Sequence, residues 1–158
     1  MKKIKLTQNK YALIDNEDYN LIKTYKWYAA ISRKKYYAVT NLNNKTKQMH
    51  RLIMNLKKDQ IIDHINGNGL DNRKSNLRLC SNKENARNRG KNINNTSGYK
   101  GVTWSKEKNK WNARICFNYK DIYLGDYKNI KDAARAYNEA AIKYHGEFAY
   151  LNEIKNEN

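Results

Sequence analysis

The chain of 158 residues has no long apolar run, few cysteines and few acidic side chains. None of its hydrophobic stretches approaches the roughly 18 residues that a membrane-spanning helix needs. No apolar segment follows the basic start Met1–Lys5, so neither a membrane span nor a signal peptide is expected. Hydrophobic residues make up 39% of the chain and the mean hydropathy is −1.07, which predicts a thin core divided between small units.

The two cysteines, Cys80 and Cys116, lie far apart and form no Cys-x-x-Cys pattern. We therefore expect them to be buried, reduced thiols of an intracellular protein. A zinc site formed by Cys80, His50 and His64 is an alternative, but their spacing matches no zinc motif.

Acidic residues are far outnumbered, since 32 Lys and Arg stand against 15 Asp and Glu, for a net charge of +17. Residues 1–96 carry most of the excess, with 21 basic against 7 acidic side chains. Such a field favours a polyanionic partner, and counterion release makes that binding salt-dependent. Charge alone also admits RNA, ribosomal or anionic lipid partners, although the lack of a basic amphipathic helix argues against a membrane.

The chain is organised around residues 61–88. Two isoleucines lead into Asp63 and His64, a loop rich in Gly and Asn follows, and the alternation around Leu77 predicts a second strand. Ser81 and Glu84 form a capping box that predicts a helix ending near residue 90. The predicted local order is therefore strand, loop, strand, helix.

Three side chains of this stretch suit hydrolytic chemistry. Asp63 and Asn85 offer hard oxygen ligands, and Mg²⁺ commonly takes only one or two protein groups besides water. The imidazole of His64 can accept a proton from water near neutral pH. In a regular strand His64 points away from Asp63, whereas a turn there brings both toward one substrate.

Residues 48–90 resemble the homing-type HNH endonucleases through the ordered elements Asp-His-Ile, the Asn-rich loop, Asn-Leu-Arg and the capped helix. The resemblance implies that His64 is the general base and that Asp63 and Asn85 bind one divalent cation, Mg²⁺ or another such as Mn²⁺. It also implies that Asn76 holds the loop beneath the histidine and that cleavage leaves a 5′-phosphate and a 3′-hydroxyl.

The residues before this motif predict short strands, including a hairpin formed by 27–31 and 36–39. Its aromatic residues either stack on bases or, as we expect, pack a small sheet. The basic tip at Arg33, Lys34 and Lys35 is expected to contact phosphate. Positions 50–56 predict a short helix in which Arg51 contacts a phosphate and His50 either binds a ligand or packs.

The motif is followed by a polar, basic segment without periodicity, which we interpret as a linker at residues 91–97. It is either a solvated tether or part of an arm in which Arg87, Arg89 and Lys91 track DNA phosphates.

Residues 98–152 predict three antiparallel strands and one helix. The strands are expected at 99–104, 110–117 and 120–125. An alanine-rich apolar stripe at helical spacing follows the cap Asn129 and ends before Gly146. The small side chains allow this helix to lie close to the sheet.

This region resembles the AP2/ERF DNA-binding domain. The resemblance rests on Gly101-Val, Trp111, Leu124-Gly125, Ala133-Ala-x-Ala-Tyr137, Ala140-Ala141, Gly146 and Leu151-Asn152. It implies a sheet that lies in the major groove, with DNA contacts from Lys100, Trp104, Lys106, Trp111 and Arg114, although one of the two tryptophans is expected in the core. Thr103, Ser105 and Cys116 stand where plant members usually carry arginine, so a GC-rich preference is not carried over.

The sequence thus predicts an α+β protein with an HNH nuclease domain of ββα-metal type at 1–90, a linker, an AP2/ERF-like domain at 98–152 and a tail at 153–158. We expect a site-specific endonuclease that acts on double-stranded DNA as a monomer, without a membrane partner, in the cytoplasm of a bacterium that hosts a phage or mobile element. A non-catalytic DNA-binding regulator and an RNA-binding module are the alternatives.

Overall fold

The computed structural model describes residues 1–32 and 34–155, and it divides the chain into two compact units, Met1–Asn85 and Ala86–Asn158. The α+β class predicted from the sequence is confirmed. Arg33, at the hairpin tip expected to contact phosphate, lies outside the described residues, as does the part of the predicted tail beyond residue 155.

The N-terminal part is built from short elements that form three small antiparallel sheets, β1–β2, β3–β4–β5 and β6–β7. In chain order they are β1 (Lys2–Lys5), β2 (Tyr11–Ile14), α1 (Tyr19–Ile22), β3 (Tyr28–Ser32), β4 (Lys35–Leu42), β5 (Lys45–Gln48), α2 (Met49–Ile53), β6 (Ile61–His64), β7 (Leu77–Cys80) and α3 (Asn82–Arg87).

The core of the first unit lies between β2, α1, α2 and the β3–β4 hairpin. Alternation along β2 buries Ala12 and Ile14 fully, which is the pattern of a strand with one face on a core. Trp27 is also buried, and its indole N–H donates to the carbonyl of Ile22 at 2.9 Å. Trp27 therefore packs the core, as expected, and is not available to stack on bases.

The β6–β7 hairpin and α3 follow the order that the capping box predicts. Asp63 pairs with Arg78 across the hairpin. The backbone N–H of Glu84 donates to Ser81 Oγ at 3.2 Å, and the N–H of Ser81 donates to Glu84 Oε2 at 2.7 Å. These reciprocal bonds fix the start of α3 directly after β7.

The long loop between β6 and β7 is tied to the N-terminal hairpin. The N–H of Leu13 donates to the carbonyl of Leu70 and the N–H of Asn72 donates to the carbonyl of Leu13, both at 2.8 Å. These bonds form a parallel bridge between Leu13 and Asp71. Strand β2 thereby orders the loop that begins at the end of β6.

The second unit is a three-stranded antiparallel sheet packed on one helix. Its elements are β8 (Val102–Ser105), β9 (Lys110–Phe117), β10 (Lys120–Tyr127) and α4 (Ile130–His145). The side chain of Asn129 accepts from the N–H of Lys131 at 2.8 Å and caps α4, which ends at Gly146 with φ +56°. Buried alanines of α4 pack against Val102, Ala113 and Ile115 of the sheet.

Close packing in the second unit explains why residue 101 is a glycine. Gly101 has φ +75°, and a Cβ there would lie 2.2 Å from a ring carbon of Tyr137 and 2.5 Å from the carbonyl oxygen of Arg114. Only glycine tolerates both the left-handed backbone and this approach.

The cysteines differ from the expectation of two buried thiols. Cys80 is half-buried, whereas Cys116 is exposed. Alternation along β9 places Ile115 against the helix, so the next side chain faces outward.

No helix in the described part of the chain is both long and apolar enough to cross a membrane.

Candidate active site

A cleft of about 310 Å³ opens in the first unit between the β3–β4–β5 sheet and the β6–β7–α3 motif. The motif contributes Asp63, His64 and Asn85 to its wall, and the sheet with the start of α2 contributes the opposite side. The three residues predicted to carry the chemistry therefore face one common space. His64 is the last residue of β6, and it and the adjacent Asp63 both line the cleft. The N–H of Gly67 donates to the carbonyl of His64 at 2.8 Å and forms the turn that follows.

Asp63 is buried and paired with Arg78. Two hydrogen bonds from the guanidinium, at 2.7 and 3.2 Å, reach Oδ2 of Asp63. This pairing holds the carboxylate in one orientation within the cleft wall. Asn85 lies in the first turns of α3, where its N–H donates to the carbonyl of Ser81 at 3.0 Å.

His64 is oriented by Asn72, a fully buried residue of the loop. The amide of Asn72 donates from Nδ2 to the carbonyl of Leu70 at 3.2 Å, which turns its Oδ1 toward His64 Nε2 at 3.4 Å. Because Oδ1 is an acceptor, the neutral imidazole carries its proton on Nε2 and its lone pair on Nδ1. Burial lowers the pKa of His64, although Asn72 and Asp63 act in the opposite direction, so the ring is neutral at pH 7 and able to accept a proton.

A second buried histidine packs against the first. The rings of His50 and His64 lie 4.9 Å apart with planes at 90°, and the ring of Tyr37 contacts both edge-on. Burial, followed by the charges of His64 and Arg51, lowers the pKa of His50 to about 3. His50 therefore packs as a neutral ring and also lines the cleft. It thus has a feature of each sequence interpretation, the packed histidine and the ligand-binding one.

Asn76 lies beneath the loop and bonds it on several sides. Its Oδ1 accepts from the N–H of Asn66 at 3.0 Å, and its Nδ2 donates to the carbonyl of Asp71 at 2.8 Å. This is the loop-holding geometry that the resemblance implies. Its importance for catalysis stays a prediction, because the amide that reaches the His64 ring at 3.4 Å belongs to Asn72.

The donors in the cleft fit a hard divalent cation. Among the described residues, no group of three or more His, Cys, Asp and Glu side chains could hold a metal. One carboxylate and one amide suit an ion that keeps most of its waters, as Mg²⁺ does. The zinc alternative is not supported, since burial raises the pKa of Cys80 to about 11 and zinc requires a thiolate.

Two predicted phosphate contacts use their charged groups inside the protein. The guanidinium of Arg51 donates to the carbonyls of Gln60 and Lys57 at 2.9 and 2.7 Å. The ammonium of Lys100 donates to the carbonyls of Arg87 and Arg89, both at 2.6 Å, and burial lowers its pKa to about 8. Both charged groups therefore hold neighbouring backbone in this structure, and the DNA contacts expected from Arg51 and Lys100 stay a prediction.

The predicted basic arm is partly engaged within the second unit. Arg87 places its guanidinium over the ring of Phe117 at 5.2 Å, and the ammonium of Lys91 donates to the carbonyl of Gly98 at 2.9 Å. Arg89 and Lys91 are exposed. These bonds tether the segment to the second unit, which sequence periodicity did not indicate.

The sheet of the second unit separates the remaining predicted contacts into two faces. Trp104 and Trp111 pair across β8 and β9 with ring centroids 5.0 Å apart, on the face that also carries Val102 and packs on α4. Trp111 joins the core, as expected for one of the pair, whereas Trp104 is 42% exposed at its edge. Both tryptophans thus lie on the helix-facing side of the sheet, and the DNA contacts expected from them stay a prediction.

Arg114 lies on the opposite, outer face and is exposed. Its Nε donates to Asn112 Oδ1 at 2.8 Å, and Asn112 Nδ2 donates to Asp126 at 2.9 Å. Lys108 closes the chain of bonds with an ion pair to Asp126 at 2.8 Å. Lys106, in the turn between β8 and β9, is also exposed.

Sequence reasoning missed Asn72, and it expected Lys35 to contact phosphate at a hairpin tip without placing it in the cleft. Asn72 sits in a run with so many asparagines that spacing does not single out one of them. Lys35 lies before the recognisable motif, and only the packing of β4 brings it to the site.

Comparison with known proteins supports the identification of the HNH motif. A family model described as HNH endonuclease matches residues 47–87. Protein 3.8 of Escherichia phage T7 is 36% identical over 94 residues, which cover 60% of this chain and 77% of that protein. The uncharacterized HNH endonuclease L560 of Acanthamoeba polyphaga mimivirus is 31% identical over 150 residues, covering 91% of this chain and 75% of that protein.

Other relatives match a shorter part of the chain. APETALA2-like protein 2 of Oryza sativa subsp. indica is 40% identical over 57 residues, which cover 36% of this chain but only 13% of that protein. No solved structure matched the chain.

The similarity to the mimivirus protein extends over nearly the whole chain, and the matched motif is the one that lines the cleft with Asp63, His64 and Asn85. The chain therefore belongs to the HNH endonucleases, a family of nucleases that act on DNA and generally depend on a divalent metal.

Proposed function

We propose that the protein is a site-specific DNA endonuclease that hydrolyses a phosphodiester bond with His64 as general base and one divalent cation, Mg²⁺ or Mn²⁺. The observation that carries this proposal is the shared cleft, in which Asp63, His64 and Asn85 face the same space. We assign the nuclease to residues 1–90, a linker to 91–97 and a DNA-binding domain to 98–152.

His64 takes the proton of the attacking water. Its lone pair lies on Nδ1 because Nε2–H donates a hydrogen bond to Asn72 Oδ1, and its lowered pKa keeps it neutral at physiological pH. The water oxygen then bonds to phosphorus and the bond from phosphorus to the 3′-oxygen breaks. The leaving oxygen takes a proton from solvent, which yields a 3′-hydroxyl and a 5′-phosphate.

Asp63 and Asn85 are the residues that would hold the cation. Their oxygens fit a hard ion, and the pairing of Arg78 with Oδ2 orients the carboxylate. A cation bound there supplies positive charge that stabilises the phosphate as negative charge develops on it. Asn76 serves this site by ordering the loop next to His64.

The second unit supplies DNA binding in this proposal. The resemblance of residues 98–152 to the AP2/ERF domain favours a sheet that contacts duplex DNA, and the partial similarity of the chain to an APETALA2-like protein supports that resemblance. Arg114 and Lys106 are the contacts best supported by their exposure, and the bond from Asn112 holds the guanidinium of Arg114 in one orientation. Arg89 and Lys91 would add phosphate contacts, and the high positive charge of the chain would strengthen binding at low salt.

The biological setting is inferred from the relatives. Protein 3.8 comes from a phage, so we propose that this enzyme acts as a monomer on double-stranded DNA in the cytoplasm of a bacterium that carries a phage or mobile element.

The test is cleavage of a plasmid library with random inserts, in Mg²⁺ with and without EDTA, followed by sequencing of the cut sites. We expect metal-dependent cuts at a restricted set of sites. His64→Ala should lower the rate by at least about 10³-fold, since it removes the general base, while the gel-shift affinity for the selected site stays within about twofold because no DNA-binding charge is lost.

An absence of metal-dependent cutting by the wild-type protein, together with specific gel shifts, would identify a DNA-binding regulator instead. Tighter binding to RNA hairpins than to duplex DNA at equal salt would favour an RNA-binding module. Equal loss of cutting and of affinity in His64→Ala would make that residue structural.

A further inference from the structure

The wall of the cleft opposite the HNH motif is a polar face of the β3–β4–β5 sheet. Cross-strand pairing sets Ser32 beside Lys35 and Gln48 beside Val39. Because side chains alternate along a strand, Ser32, Lys35, Tyr37 and Gln48 share one face, and all four line the cleft. The family model begins at residue 47, so β3 and β4 lie outside the region to which it assigns the nuclease.

Lys35 brings an uncompensated positive charge to this wall. Its ammonium lies 3.5 Å from the position that a Cβ on Gly67 would take, beside the turn that directly follows His64. Asp63, the carboxylate of the cleft, is already paired with Arg78, and no carboxylate among the described residues pairs with Lys35. A cation of this kind in a polar cleft favours an anionic ligand.

His50 adds a polar group without a partner. Only 6% of its surface is exposed, it lines the cleft, and neither ring nitrogen is hydrogen-bonded within the part of the chain that the structure describes. Neither of these nitrogens is fully buried, so a ligand in the cleft can reach the ring. A ligand in the cleft that accepts a hydrogen bond from the imidazole would supply this partner.

We propose that Lys35 and His50 form a subsite for a non-bridging oxygen of the scissile phosphate, and that Lys35 is a catalytic residue of the nuclease. This inference rests on the proposed function of the same cleft. Lys35 keeps its proton throughout, since the water proton goes to His64 and the 3′-oxygen is protonated by solvent. Its charge interacts more strongly with the transition state, in which additional negative charge gathers on the phosphate oxygens.

The inference is tested by single-turnover cutting, with protein in excess, of a duplex that carries the site selected from the plasmid library. Lys35→Gln removes the charge from an exposed position and should not disturb folding. We expect its saturated rate to fall about 100-fold, in the range seen when one electrostatic group is removed from a transition-state site. The protein concentration at half-maximal rate should change less than about threefold, because the lost interaction stabilises the transition state more than it stabilises bound DNA.

Two further variants control the experiment. Lys35→Arg keeps the charge and should restore the saturated rate to within about tenfold of wild type. Lys45 is exposed at the opposite end of the same sheet and outside the cleft lining, so Lys45→Gln removes the same charge and should leave the saturated rate within about twofold.

The possible outcomes separate the two proposals. If His64→Ala abolishes cutting but Lys35→Gln cuts at the wild-type rate, the subsite is wrong and the proposed function stands. A change confined to the half-saturating concentration would place Lys35 on a neighbouring phosphate and overturn its catalytic role. If the wild-type protein does not cut, or His64→Ala cuts as fast as wild type, the proposed function fails and the subsite fails with it.

Discussion

Two neutral histidine rings meet in the cleft of the first unit, and each affects the other. His50 and His64 are both buried, and their rings lie 4.9 Å apart. A charge on either ring would be poorly solvated and would repel a charge on the other. The arrangement keeps His64 neutral, and so able to act as a general base, at pH values where an exposed histidine would be protonated. The folded first unit loses stability in return when the solution becomes acidic.

The stability of the first unit should therefore fall as the pH falls below 6.5. The pKa of His50 is about 3 in the folded protein, against the ordinary value of 6.5 expected in the unfolded chain. Between these two pH values the unfolded chain binds a proton that the folded protein does not, so the free energy of unfolding rises with pH there. Each pH unit across this window corresponds to about 1.4 kcal/mol, and the loss between pH 7 and pH 5 should be roughly 2 kcal/mol.

Calorimetric melting across this pH range measures the effect. Glutamine does not titrate, so His50→Gln should flatten the pH dependence whatever its stability at pH 7. His145→Gln is the control, because it removes a histidine whose pKa is also lowered by burial but which lies in the second unit. The melting of the first unit should keep its pH dependence in that variant. Parallel curves for wild type and His50→Gln would show that the pKa of His50 is not lowered by folding.

At the scale of elements, short helices carry the site and depend on their caps. Helix α3 has only six residues, and an isolated helix of that length is not stable in water. The capping box between Ser81 and Glu84 satisfies its first N–H groups. Asn85 follows directly, so the cap fixes the position of one proposed metal ligand.

Removal of the cap should weaken metal use before it abolishes cutting. Ser81→Ala should cost about 1 kcal/mol of helix stability and let the first turn of α3 fray. The Mg²⁺ concentration for half-maximal cutting should then rise severalfold while the rate at saturating metal falls less. Ser75 is exposed, and Ser75→Ala should behave as wild type; an unchanged Mg²⁺ dependence in Ser81→Ala would show that Asn85 does not need the cap.

At the scale of the whole molecule, the chain has separate cores in its two units. Such a division follows from the low hydrophobic content, since neither half has enough apolar surface for a large core. Variants that disturb one core should therefore act mainly on the unit that contains it, which provides a test of the roles assigned to the units.

Two glycines of the second unit offer a matched pair for this test. Both Gly98 and Gly101 have positive φ, but a Cβ at Gly98 meets nothing within 4 Å, whereas one at Gly101 meets Tyr137 and Arg114. Gly98→Ala should cost about 1–2 kcal/mol from backbone strain alone. Gly101→Ala adds a clash in the core and should cost roughly 3 kcal/mol or more.

Melting curves and gel shifts on the selected site report the two effects. We expect Gly101→Ala to lose most of its site-specific affinity, with Gly98→Ala near wild type. Metal-dependent cutting at non-selected sites should persist in Gly101→Ala because the proposed catalytic residues lie in the first unit. Full site selection by a Gly101→Ala protein whose second unit is unfolded would contradict the role proposed for that unit.

The sequence alone predicted those features that depend on neighbours along the chain. The alternation of β9, the capping box of α3 and the Asn129 cap of α4 are local, so short windows of residues contain the information that forms them. The motif with Asp63, His64 and Asn85 was recognisable for the same reason, because its residues lie within one continuous stretch.

Only the tertiary structure decided which side chains complete the cleft and which charges face solvent. Lys35 reaches the site from β4, Asn72 is selected from its neighbours by its contact with His64, and Lys100 points inward to two carbonyls. These contacts join residues whose spacing follows no helical or strand period. They are set by how the sheets and loops pack, since burial and hydrogen bonding act on distance in space and not on distance along the chain.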